Sequence, residues 1–405
     1  MTRRPRARRT APQADLVTRV RSFPETGLGR GWEATAVILL SGFLLVAGLL
    51  TLHSGSSVMA ERSDLAHYTF VTRQAAGIAA GLVALVICAR LPTAWWKTLA
   101  WPVLVGSWFL LVLIILPFTE SIAPEVNGAR RWLRVGFSIQ PSDLAKIAII
   151  VWTATLAVRK QGAFKSFRRG MAPFLVVWGA LLIPIALEPD FSTAALVGLL
   201  GATVLFAAGG RIAHFLLLGF VTAPVLYWKL STGYRGARWN SLFLNPGDAP
   251  MGAGFQSYQS LIAVGSGGLT GLGFGEGQQK YGFLPEAHND FIFAMIGEEW
   301  GFVGVLLVVS AYVGLILVGF RIARRARDLM GEFLAIGVTS LIAFQAFFHM
   351  GVGLGVLPST GLALPLMSYG RSNMLVTLAA LGILLSVARE APEGRSGRRI
   401  HRAAA

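Results

Sequence analysis

In Pro285-Glu-Ala-His-Asn-Asp-Phe-Ile-Phe-Ala294, a polar loop turns directly into an apolar run, and Asp290 stands at the junction. A carboxylate at the mouth of a membrane helix is costly to keep dry, so its presence points to chemistry or transport at that place. In Gln140-Pro-Ser-Asp-Leu-Ala-Lys146, Pro141 suits a helix start, and Asp143 and Lys146, three apart, share one helix face. Just upstream, Arg130, Arg131 and Arg134 bring three guanidinium groups to the same end of that helix. Cations gathered above a buried lysine make an anion site. The alternative for Asp143 and Lys146 is a self-neutralising pair that serves folding alone. Glu188 and Asp190 share a minimal turn, and Arg371 sits at the mouth of the last apolar run. Either feature would also serve as an interfacial cap.

Such residues need membrane-spanning elements to hold them, and the composition supplies these. The chain of 405 residues is 54% hydrophobic and 14% charged, with its apolar residues in long unbroken stretches, as in an integral membrane protein. About 20 residues at about 1.5 Å each cross about 30 Å of hydrocarbon. Ten stretches qualify: 33–52, 70–89, 98–117, 141–158, 171–187, 191–209, 212–229, 290–319, 332–355 and 367–388. A net charge of +16 would suggest nucleic acid in a soluble chain, but its distribution reads as topology and no nucleic-acid partner is expected. Lys and Arg number eight in 1–32, five in 159–170, four in 320–331 and five in 389–405. That pattern places both termini in the cytoplasm. The expected fold is all-α, with ten transmembrane helices over 33–388, basic cytoplasmic tails over 1–32 and 389–405, and one long extracytoplasmic loop, 230–289, between helices seven and eight.

The lone Cys88, inside an apolar run, excludes a disulfide framework and a Cys-rich metal site, and no metal ligands are assigned. The Arg-rich start is followed by no apolar segment until about Trp32, which suits an anchor on anionic lipid better than a cleaved signal peptide. The glycine-rich run 265–277 invites a dinucleotide-binding reading, but the fingerprint needs a strand and a βαβ unit that an outer loop lacks. Those glycines predict instead a tight loop whose backbone approaches a polar ligand. A helix opening at Asp290 would carry Glu298 about 80° around its axis and Glu299 about 180°, which favours Glu298 for the site and turns Glu299 toward another helix.

Six segments in order carry a family resemblance: Asn127-Gly-Ala-Arg-Arg-Trp132, Gln140-Pro-Ser-Asp143, Glu188-Pro-Asp-Phe-Ser-Thr193, Tyr258-Gln-Ser-Leu-Ile-Ala-Val-Gly-Ser-Gly-Gly268, the Asp290 segment and Gly297-Glu-Glu299. Over about 33–388 the chain resembles the SEDS family (shape, elongation, division and sporulation) of peptidoglycan glycosyltransferases. Its first and third segments are more similar to the cell-division branch than to the elongation branch. Relatives usually continue Ser-Tyr-Gly with Gly-Ser where this chain has Arg371. The resemblance implies polymerisation of lipid II, the disaccharide-pentapeptide on undecaprenyl pyrophosphate, in the bacterial cytoplasmic membrane at the division septum. It also implies Asp290 as the essential catalytic residue, and as partners a class B penicillin-binding protein transpeptidase and other division proteins.

Glycosyl transfer to a sugar hydroxyl needs a base for the proton and cations for the departing pyrophosphate. Asp290 would be the base for the acceptor's 4-hydroxyl. Arg130, Arg131, Arg134, Lys146 and Arg371 would hold pyrophosphate, supported by Asp143, Glu188, Asp190, His288 and Glu298. The cofactor stays open, with a divalent cation such as Mg2+ as a candidate. The alternative function is a lipid II flippase, since intramembrane charges also mark transport paths.

Overall fold

The computed structural model describes residues 31–62, 66, 68–125, 128–135, 137–231 and 254–392. A backbone in hydrocarbon has no water to bond, so each crossing must satisfy its own N–H and C=O groups, and the helix does so. The helices are α1 (Gly31–Arg62), α2 (Thr69–Arg90), α3 (Thr93–Ile115), α4 (Pro141–Arg159), α5 (Ala172–Leu187), α6 (Phe191–Ala207), α7 (Ile212–Ser231), α8 (Phe255–Ser266), α9 (Ile292–Arg324), α10 (Leu329–Gly353) and α11 (Arg371–Glu390). Among the described residues, eight helices are long and apolar enough to cross a membrane. The sixth and seventh expected stretches form shorter apolar helices, Phe191–Ala207 and Ile212–Pro224. The turn at Glu188 and the pair Gly209 and Gly210 confine the sixth, while the seventh continues as helix through Pro224 to Ser231.

Two departures from an all-α chain stand out in the long loops. Strands β1 (Leu133–Val135) and β2 (Phe137–Ile139) pair antiparallel between α3 and α4, with Leu133 opposite Ile139. In the loop expected over 230–289, residues 232–253 lie outside those described, and the rest holds α8 and a glycine-rich strap. Most of the two expected basic tails also lies outside the described residues.

The bundle has a distinct centre. Within their most apolar stretches, α4, α10 and α11 are 83%, 67% and 89% buried, whereas the other long helices reach only 28% to 39%. Their outer neighbours turn large apolar side chains outward, among them Leu39, Val83, Phe109 and Phe302. Polar residues on the three inner helices, among them Asp143, Lys146, Gln345 and Asn373, are therefore buried in the bundle and not on its rim.

The helix that follows Asp290 is broken. Gly301 has φ 65° and ψ −163°, which splits α9 into a short piece, 292–300, and a longer one, 302–324. The break frees backbone groups, and the glycine-rich strap takes them up. Leu272 N and Gly273 N donate to Glu298 O and Glu299 O at 3.0 and 3.1 Å, while Phe302 N and Val303 N donate to Gly268 O and Leu269 O at 2.9 and 3.1 Å. This approach leaves no room for side chains: a Cβ on Gly267 would lie 1.9 Å from Gly297 O, and one on Gly271 2.2 Å from Glu299 O. The close neighbour of Gly267 and Gly271 is thus helix backbone.

A buried ionic cluster locks the short piece in place. Lys280 Nζ donates to Gly275 O, to Ser54 Oγ on α1 at 3.1 Å and to Glu299 at 3.4 Å, and Ser54 also donates to Glu299. Glu298 accepts from the backbone amides of Gln278 and Gln279 at 2.7 and 3.1 Å. Glu298, expected beside Asp290, is thereby committed to the strap. The angular argument placed it in the site because it started the helix at Asp290. The helix starts at Ile292, since Asn289 N and Asp290 N close a turn on Glu286 O.

Gly271→Ala combines a backbone clash with a φ of +84°, and should destabilise the protein by about 3 kcal/mol or more. Gly265→Ala, in α8 with nothing within 4 Å of the new methyl, should be neutral or stabilising by up to about 1 kcal/mol. Thermal unfolding of both variants in detergent checks the contrast. Equal midpoints would show that the strap is not held by these close contacts.

Candidate active site

The N-terminal ends of α4 and α11 border a cleft of about 280 Å³. Its walls carry Arg131, Asp143, Lys146, Asp190, Asn289 and Arg371, together with Trp132, Gln140, Tyr369 and Asn373. Asp143 lies in the first turn of α4, where the helix dipole favours an anion. Lys146 Nζ sits 2.7 Å from Asp143 Oδ1 and 3.4 Å from Asn373 Oδ1, with both charged residues 3% exposed. A charge so enclosed must be paired, and here one carboxylate and one amide oxygen share the ammonium.

Asp290 borders this cleft. A methyl group on Gly361, which lines it, would lie 3.8 Å from Asp290 Oδ2. The turn that carries Asp290 is pinned to the turn before α11: Ser368 Oγ donates to Asn289 O at 2.8 Å, and Tyr369 N to His288 O at 3.3 Å. Gln74, buried on α2, holds that second turn by both ends of its amide, donating to Ser368 O and accepting from Gly370 N, each at 3.1 Å. The chain then enters α11, where Ser372 Oγ accepts from Gln140 N at 3.0 Å and so ties α11 to the start of α4. One hydrogen-bonded frame therefore fixes Asp290, Arg371 and the Asp143–Lys146 pair relative to one another.

The other expected residues divide. Arg131 lines the cleft and donates to Glu188 O at 3.3 Å and Pro189 O at 2.8 Å. Arg130 instead pairs with Glu120, and Arg134 is exposed on β1, so one guanidinium of the three reaches the cleft wall. Arg130 and Arg131 lie in the coil before β1 and Arg134 within it, a separation that a contiguous Arg cluster did not reveal. Asp190 lines the cleft, caps α6 by accepting from Thr193 N at 3.2 Å, and accepts from Gln140 Nε2 at 3.3 Å. His288 is buried against Phe70 and Tyr369, and burial holds its imidazole below its usual pKa although Glu286 pulls the other way. Gln74, Gln140 and Asn373 were missed by a reading that followed charge. Their signal was an amide side chain in or beside an apolar stretch.

Glu188 lies just behind this wall, 3% exposed, with both carboxyl oxygens lacking a hydrogen-bond partner among the described residues. Burial pushes its pKa up to about 9, reinforced by Asp190 and partly offset by Arg131. A folded-state value above the unfolded one favours folding fully below the unfolded pKa, and that contribution is lost as pH rises from about 4.5 to about 9. Glu188→Gln, which stays neutral, should therefore gain thermal stability relative to the parent protein as pH rises through that window. A parent-to-variant difference that stays constant between pH 5 and 9 would show that Glu188 is not held protonated.

Comparison with known proteins places this architecture. Residues 34–393 match the family model FTSW_RODA_SPOVE, described as "Cell cycle protein". The chain is 41% identical over 353 residues to a probable peptidoglycan glycosyltransferase FtsW of Geobacter metallireducens, covering 87% of this chain and 93% of the relative. It is 40% identical over 356 residues to the stage V sporulation protein E of Bacillus subtilis, covering 87% and 96%. Among solved structures, a chain of a peptidoglycan synthase complex that coordinates polymerization and crosslinking superposes with a TM-score of 0.71 at 28% identity, covering 88% of this chain and 98% of that one. The rod shape determining protein RodA of Thermus thermophilus follows with a TM-score of 0.64 at 26% identity, covering 88% and 97%. The chain belongs to the FtsW, RodA and SpoVE family of cell cycle proteins.

Proposed function

We infer that this protein is a peptidoglycan glycosyltransferase that polymerises lipid II at the outer face of the bacterial cytoplasmic membrane. The observation that carries the reading is the half-buried Asp290 at the edge of a cleft walled by Arg131, Lys146 and Arg371. Asp290 takes the proton of the acceptor's 4-hydroxyl as that oxygen bonds to the donor's anomeric carbon. The bond from that carbon to the pyrophosphate oxygen breaks, and the charge that develops there falls to the cations. Asp143 and Asp190 orient the wall, and the neutral Glu188 keeps a further negative charge away from it.

The chain crosses the membrane ten times, α6 and α7 included, with both termini in the cytoplasm and the strap on the outer side. The FtsW relative at 41% and the sporulation relative at 40% stand nearer than RodA at 26%, and with the first and third motif segments this supports the division branch. A septal location and a crosslinking transpeptidase of the class B penicillin-binding type follow from that branch. The likeness to a chain from a polymerising and crosslinking complex supports the partner.

Asp290→Asn keeps size and most hydrogen bonding but accepts no proton, so polymerisation of purified lipid II should fall by about 10²-fold or more while insertion is unchanged. Parent-level turnover in a well-folded variant would remove Asp290 as the base. Lost lipid II translocation with intact polymerisation would favour a flippase.

The pair on α4 is tested by replacing both partners, since a single change strands a buried charge. Asp143→Leu with Lys146→Met should leave thermal stability near that of the parent yet lower turnover by about 10-fold or more. Full turnover in the double variant would reduce the pair to a folding element.

A further inference from the structure

Asn373 is the third residue of α11, 7% exposed, and lines the cleft. Its carboxamide has a donor end and an acceptor end, and the surroundings decide which faces where. Lys146 Nζ lies 3.4 Å from one end. An ammonium only donates, so that end is the carbonyl oxygen, Oδ1. The same oxygen accepts from Gln345 Nε2 of α10 at 3.1 Å. Gln345 is thereby forced to present its own NH2 group, and its Oε1 is left buried without a partner among the described residues. Buried orphan acceptors are rare and destabilising, and an apolar residue at 345 would avoid this one. The arrangement makes sense if the orientation of the Asn373 amide matters. With Oδ1 doubly engaged, Nδ2 is the end left for the cleft, and it has no acceptor among the described residues.

We propose that Asn373 is a substrate-contacting residue whose Nδ2 donates a hydrogen bond to a pyrophosphate oxygen of the lipid-linked donor, and that Gln345 is the positioning residue that fixes the amide for this role. The proposal rests on the glycosyltransferase reading. An anionic oxygen is the acceptor that suits the place, because Nδ2 opens into a wall shared with Lys146 and with Arg371, two residues earlier on the same helix turn. An N–H donor beside cations complements a phosphate and leaves the Asp143–Lys146 pair undisturbed.

Asn373→Asp separates this role from a structural one. The new carboxylate can still accept from Lys146 and Gln345, so the hydrogen bonds that tie residue 373 to α4 and α10 are kept. It loses the donor and turns a negative oxygen toward the phosphate. The variant should still unfold in one cooperative transition, while its KM for lipid II rises by about 10-fold or more. Gln345→Met should move KM in the same direction by a smaller factor, about 3-fold, with kcat nearly unchanged. An Asn373→Asp variant with parent KM and kcat would overturn the proposal. A second readout does not depend on turnover: undecaprenyl pyrophosphate should protect the parent protein against heating more than it protects Asn373→Asp. Equal protection would overturn the Asn373 contact even if the parent polymerises lipid II. A parent protein that is protected by undecaprenyl pyrophosphate but polymerises nothing would sink the glycosyltransferase reading and leave the contact standing.

Discussion

An ammonium enclosed beneath the surface of a membrane protein has to find its partners inside the fold, because lipid offers none. Lys146 meets that demand with Asp143 on its own helix and Asn373 on α11, and the amide of Asn373 in turn engages Gln345 on α10. The three helices that supply these groups are the three most buried in the bundle. The ordering is what the charge requires: α4, α10 and α11 must be innermost, and the more apolar helices take the places facing lipid. Polar chemistry at the centre and hydrocarbon at the rim are thus two consequences of one buried cation.

The second determinant is the break at Gly301. A continuous helix from Ile292 onward would carry its first turn wherever the transmembrane piece points. The break instead gives residues 292–300 their own direction, and the strap and the Lys280–Glu299–Ser54 cluster fix it from behind. Asp290, just ahead of that piece, is aimed by different contacts from those that hold Lys146. The turn before α11 joins the two halves, since it bonds to the Asp290 turn on one side and leads to Gln140 and α4 on the other. The start of α11 is therefore the shared reference for Asp290 and for the Asp143–Lys146 pair.

Long helices were legible because hydropathy is summed over some twenty residues, so errors at single positions average out. The break at Gly301 was not, since one glycine within an apolar run looks like any other small residue. Its signal lay elsewhere, in the glycines of 265–277, whose unusual density shows that a backbone must come close to something. Only the fold shows that this something is Glu298 O and Glu299 O. The same limit explains Arg130 and Arg134: three arginines in five residues read as one cluster, but Arg130 pairs with Glu120 and Arg134 is exposed on β1. Asp143, Lys146, Asp190, Arg131 and Arg371 line one cleft with Asp290 beside it, and each was legible because charge near a bilayer is scarce enough to be informative residue by residue. Amides such as Gln74 carry less cost, hence less signal, although Gln74 holds its turn with both ends of its side chain.

The balance of charge around the cleft constrains what can enter it. Arg131, Lys146 and Arg371 stand against Asp143, Asp190 and Asp290, so the ionised groups nearly cancel. A pyrophosphate would meet little net attraction if another carboxylate were added, and at short range in a low-dielectric wall one charge is worth several kcal/mol. Glu188 is that further carboxylate, and burial keeps it neutral with its pKa near 9. Its orphaned oxygens, which look like a flaw in packing, are consistent with a site that tolerates an uncharged acid where an ionised one would repel the substrate. Replacing the neutral acid by an ionised one, as rising pH does, would therefore weaken anion binding and folding together.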